Sequence, residues 1–233
     1  MTTSGNTTFD LNLTEIVEEA FERAGSELRS GYDLRTARRS LNLMLIEWQN
    51  RGINMWTIEQ GEIPLLTDTT TYDLPVDTVD LLDHVIRTGT GTSQTDLHIE
   101  RMSMPTYASI PNKLATGRPN RIYINRKSGA IDSTGTVQYP QVTVWPVPAD
   151  DTYILVYWRM RRIQDSGGGV GTQDIPFRFL PCLIAGLAFY LSQKVPEGMP
   201  RRMDLKQDYE EQWELAAGED REKASIFVQP RIY

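Results

Sequence analysis

The 233-residue sequence is poorest in the side chains that chemistry uses most often: it holds one cysteine and two histidines. A lone Cys182 excludes an internal disulfide and any cysteine-based metal cluster. It lies within the apolar run Leu180 to Leu191, where a buried, inert thiol is expected. His84 and His98 sit neither at a two-ligand helical spacing nor beside the cysteine, so a metal site has little support. Both read as strand residues, with His98 facing opposite Leu97 and Ile99. No Gly-x-Ser-x-Gly elbow occurs. Glu15, Glu18, Glu19 and Glu22 follow one another along a solvated helix, whereas a glycosidase opposes two carboxylates across a sugar. No apolar run approaches the ~20 residues of a bilayer span. The opening Met-Thr-Thr-Ser-Gly-Asn-Thr-Thr has neither a basic stretch nor an apolar core, and reads as a polar arm rather than a secretory signal. Positive charge is also in deficit: 24 Lys and Arg against 31 Asp and Glu leave a net charge of -7. That argues against wrapping DNA, which needs phosphates neutralised. It suits a passage along which DNA slides without sticking. No cofactor and no enzymatic activity are expected.

What is present is amphipathic patterning. Leu13, Ile16, Val17, Ala20, Phe21 and Ala24 mark one helical face, with Asn12 and Glu15 as a capping box and Gly25 as the stop. A second helix is expected from Asp33 as N-cap to Gly52, burying Leu34, Ala37, Leu41, Leu45 and Trp48. Arg35, Arg38 and Arg39 lie on its opposite face, either solvated or in contact with an acidic neighbour, and the two helices form a hairpin. From Ile53 to about Asp174, short alternating runs broken by Pro, Gly, Asp and Thr indicate strands: Trp56 to Ile63, Val85 to Thr88, Arg121 to Asn125, Gln141 to Trp145 and Thr152 to Ile163. In the last, Ile154, Val156, Trp158 and Met160 form an apolar face. Tyr153, Leu155, Tyr157, Arg159 and Arg161 form a face that turns basic as the strand reaches a surface. Pro105 opens a short helix at Met104 to Ile110.

The run Asp165 to Gly171 lacks the Lys-Ser/Thr ending of a phosphate loop and reads as a linker. Beyond it, Leu180, Leu183, Ile184, Leu187, Ala188 and Leu191 trace a central helix, with Gly186 allowing a neighbour close. Pro196, Gly198 and Pro200 break the chain. A final helix from about Arg201 to Ala217 buries Leu205, Tyr209, Trp213 and Ala216, turns Asp208, Glu210, Glu211 and Glu214 outward, and stops at Gly218. The apolar end Ser225 to Tyr233 calls for a docking surface, since chain ends are otherwise polar and frayed.

Three segments together carry a resemblance: Tyr-Asp-Leu-Arg-Thr-Ala-Arg-Arg-Ser-Leu-Asn (Tyr32 to Asn42), Trp-Gln-Asn-Arg-Gly-Ile-Asn-Met-Trp (Trp48 to Trp56) and Pro-Phe-Arg-Phe-Leu-Pro-Cys-Leu (Pro176 to Leu183). In these and in the order of its elements the chain resembles the head-to-tail adaptor family of short-tailed bacteriophages, also called tail tubular protein A or packaged-DNA stabilisation proteins. The expected fold is α+β: a discontinuous helical bundle from 1–52 and 176–224, a β-rich insertion at 53–175, and an extended C-terminal tail at 225–233. The resemblance implies a virion protein, made in the host cytoplasm, that forms a homo-oligomeric, dodecameric ring. Its partners would be the portal protein, a distal tail nozzle or hub protein, and genomic DNA passing through the lumen without sequence-specific binding; no membrane is involved. Ile226, Phe227, Val228, Pro230, Ile232 and Tyr233 would be the portal-docking tail, and Arg159, Arg161 and Arg162 an interface with an acidic partner. The competing readings are a virion-associated peptidoglycan hydrolase and a DNA-binding module built on those three arginines.

Overall fold

The computed structural model describes residues 5, 7, 9, 11–52, 55–127, 129–167 and 171–221. Along the chain run α1 (Leu13–Ala24), α2 (Gly31–Arg51), β1 (Ile58–Pro64), β2 (Thr71–Asp73), β3 (Thr78–Thr88), β4 (Thr95–His98), β5 (Glu100–Met102), α3 (Met104–Ala108), β6 (Thr116–Gly117), β7 (Arg121–Asn125), β8 (Gln141–Trp145), β9 (Val147–Pro148), β10 (Ile154–Arg161), α4 (Leu180–Ser192) and α5 (Arg202–Glu219). The fold class is α+β. The described residues fall into two compact units, one drawn from Met1–Trp56 and Ile163–Tyr233, the other from Thr57–Arg162. The stretch after β10 goes with the helices rather than with the expected insertion, because Ile163 and Ile175 pack into the helical core.

The helical unit is built on α4. Its residues from Cys182 to Ala188 are all buried, so it has no polar face to offer water, and α1, α2 and α5 each lay their apolar stripe against it. The two N-terminal helices of the expected hairpin therefore touch each other less than each touches α4. In α1 the Asn12–Glu15 capping box and the left-handed Gly25 at φ 84° are present, and all six predicted apolar residues are buried. In α2 the N-cap is Ser30, not Asp33: Asp33 occupies the third helical position, its carboxylate accepting from the Ser30 amide at 3.0 Å while the Ser30 hydroxyl accepts from the Asp33 amide. This reciprocal box satisfies two orphan donors, which a start at Asp33 would not. At Gly186 an added Cβ would lie 2.5 Å from the Met44 sulfur on α2 and 2.8 Å from the Tyr209 ring on α5. The glycine lets both helices approach. Gly218 does not stop α5, since the Asp220 amide still donates to the Ala216 carbonyl and the helix runs to Glu219.

In the other unit two four-stranded sheets, ordered β1-β10-β3-β4 and β2-β8-β7-β5, contribute to one core that includes Leu81, Ile86, Ile122, Val142, Val144, Leu155 and Tyr157. A parallel pair, β6-β9, lies beside them. On β10 it is Leu155 and Tyr157, from the face that turns basic, that enter this core; on the apolar face Val156 is buried too, while Ile154, Trp158 and Met160 are half-exposed. Alternation marks two faces but does not say which meets the second sheet. Gly61, opposite Tyr157 on β1, has no side chain, and the Tyr157 ring lies over it. Trp56 belongs to a 3-10 turn before β1 rather than to the strand, its indole N–H donating to the Asp174 carbonyl at 2.9 Å.

Candidate interaction surfaces

The arginines of β10 turn inward. Arg159 is 9% exposed and donates to Asp77 Oδ1 and Glu59 Oε2, each at 2.7 Å, and Arg161 donates to Glu59 Oε1 at 2.7 Å. Burial pushes the Asp77 carboxyl upward, but the hydrogen bond and charge of Arg159 outweigh it and hold the group below its ordinary value. Two of the three arginines expected to meet an acidic partner thus meet acidic residues of their own chain, fastening β1 and the segment before β3 to β10. Arg162 remains exposed at the strand end.

A second constellation ties α2 to α5. Arg51 pairs with Glu47 at 2.5 Å and Glu210 at 3.0 Å, and its guanidinium lies 4.7 Å from the centre of the Trp213 ring. The Arg51 hydrogen bond pulls Glu210 below the usual carboxylate range. Beneath them the Trp48 indole donates to the Tyr209 hydroxyl at 3.0 Å. Glu210 and Asp208, expected to face outward, are therefore half-buried; Asp208 lies 3.7 Å from Arg23. The i, i+4 spacing of Glu47 and Arg51 was the sequence signal for part of this lock; its partner on α5 lay 159 residues away and left no local trace.

The basic groups with no carboxylate partner among the described residues include Arg35, Arg38 and Arg39 of α2. Arg38 donates to the Gly167 carbonyl, and its Nε is buried with no hydrogen bond. Tyr32, Leu43 and Ile46 stand exposed on the same helix. Beside them lies a cleft of about 450 Å³, lined in part by Tyr32, Thr36, Arg39, Leu43 and Lys194. A more apolar groove of about 550 Å³ is formed by Leu11, Phe177, Leu180, Pro181 and Ile184, where Phe9 stacks on Phe177 at 5.6 Å.

Of the side chains that chemistry uses most often, Cys182 belongs to the helical unit and the two histidines to the other. Cys182 is 1% exposed, and burial pushes its thiol up to about 12. His84 is buried and stacks on the exposed His98, whose Nδ1 lies 3.4 Å from Asp83. Among the described residues no group of three or more His, Cys, Asp or Glu is arranged to hold a metal ion. The expected portal-docking residues Ile226, Phe227, Val228, Pro230, Ile232 and Tyr233 lie outside the described residues.

No curated protein matches the chain. A family described as SU10 adaptor protein matches residues 11–229, which takes in every helix and strand above. With nearly the whole length matched, the chain belongs to this family of phage head-to-tail adaptors.

Proposed function

We propose that the chain is the subunit of a homo-oligomeric ring, dodecameric in the adaptors it resembles, seated beneath the portal of a short-tailed phage. The ring continues the DNA channel and receives the distal tail nozzle or hub. The observation that carries this reading is the family match across residues 11–229. A net charge of -7 supports it, since genomic DNA must pass the lumen without being held. The subunit works mechanically rather than catalytically: it is made in the host cytoplasm, joins the virion and stays there. The segment Ser225 to Tyr233 binds the portal as an extended peptide, its alternate apolar side chains filling pockets.

Co-sedimentation with portal rings of the same phage tests this. The intact chain is expected to pellet with the rings and a variant lacking 225–233 to remain in solution. Equal binding by the truncated chain would reject tail docking, and no binding by the intact chain would reject the adaptor reading itself. The hydrolase reading has no observation in its favour.

A further inference from the structure

We infer that the exposed face of α2 on one copy packs against the exposed face of α5 on a second copy of this chain. The inference rests on the ring reading and supplies its subunit contact. Tyr32, Arg35, Arg39, Leu43 and Ile46 advance by three or four residues and so form one stripe along α2. Tyr32, Leu43 and Ile46 are 63%, 58% and 56% exposed. On α5 the outward stripe is Met203, Gln207, Glu211, Glu214 and Leu215, with Met203 73% and Leu215 67% exposed. Glu211 accepts from Gln207, and neither Glu211 nor Glu214 has a cationic partner among the described residues.

The two stripes are complementary in charge and alike in layout. Each places its charged residues inside and large apolar groups at its ends. At 1.5 Å per residue they run about 21 Å and about 18 Å. Tyr and Arg beside aliphatic groups is the composition of interface anchors. Both helices face α4 with their other side, so the stripes point away from it and do not meet within one chain. Pairing α2 with α2 would set Arg35 and Arg39 against their own copies, and α5 with α5 would oppose carboxylates. A two-fold contact is therefore disfavoured, and a heterologous, head-to-tail contact remains, the type that closes rings. The acidic face of α1, with Glu18 and Glu22, is a poorer partner because it presents no exposed large apolar side chain.

Sedimentation velocity of the full chain at low salt tests the contact. The unmodified chain is expected to associate, and association should weaken as salt rises. Arg39→Glu alone and Glu211→Arg alone should each sediment as folded monomers, because each sets like charges together. An equimolar mixture of the two should associate again, since each variant's altered face then meets its opposite on the other. A monomeric unmodified chain, single variants that associate as well as it does, or a mixture that stays monomeric while circular dichroism shows both variants folded would each overturn the proposal. So would salt-dependent duplex DNA binding that Arg39→Glu abolishes without any effect on self-association. If the contact fails while the intact chain still pellets with portal rings, the adaptor reading stands and its subunit interface lies elsewhere.

Discussion

Burial lowers the pKa of His84, and the charge of neighbouring His98 lowers it further. The folded protein thus keeps His84 neutral where an unfolded histidine, of pKa about 6.5, is already taking up a proton. The unfolded state binds more protons, so stability declines as pH falls below about 6.5 and is recovered above it. His84→Leu should narrow the difference in Tm between about pH 7.5 and pH 5.5; an unchanged difference would assign the pH dependence to other groups. Sequence alone placed His84 on a strand but not inside, because alternation reads a polar residue as outward. It is inside because it pairs across the sheet with Tyr157, on the row that faces the core. His98 stayed legible: flanked by Leu97 and Ile99, it is exposed while Ile99 is buried.

Elements with both ends specified locally were the most readable. For α1, one capping box, one left-handed glycine and an unbroken apolar face defined the helix from end to end. The start of α2 was misread because Asp33 is a good cap by itself, and only its reciprocity with Ser30 decides the position. Strands of three residues, such as β2 and β5, are too short to show a period of two and went unpredicted, and of β4 only the alternation around His98 was legible. Packing between elements gives a sharper test. Gly186→Ala would drive a methyl into the Tyr209 ring and the Met44 sulfur. The sulfur ends a flexible chain, but the ring is held by its hydrogen bond to Trp48 and by stacking on Phe189 at 6.1 Å. The expected loss is about 1–3 kcal/mol in denaturant unfolding; a neutral result would mean that α2 and α5 can shift apart without cost.

At the scale of the molecule, the β-rich unit is an insertion whose two ends lie side by side, since β1 and β10 are antiparallel neighbours with Ile58 opposite Met160. It also has its own hydrophobic core. An inserted unit with adjacent ends and a separate core can fold without its host. Residues 57–162 produced alone should therefore show one cooperative thermal transition by circular dichroism; a chain with no transition would show that the helical unit is needed to fold it. By itself the sequence determined the α+β class, the helical faces, both caps of α1, the buried cysteine and the family, because these follow from local spacing and the wording of short segments. Only the tertiary structure decided which face of β10 turns inward and which arginines are committed. Arg159 is held by Asp77 and Glu59, 82 and 100 residues away along the chain, while Arg35 and Arg39 meet no carboxylate among the described residues. Burial and ion pairing belong to the neighbours that folding brings together, and no window of sequence contains both partners.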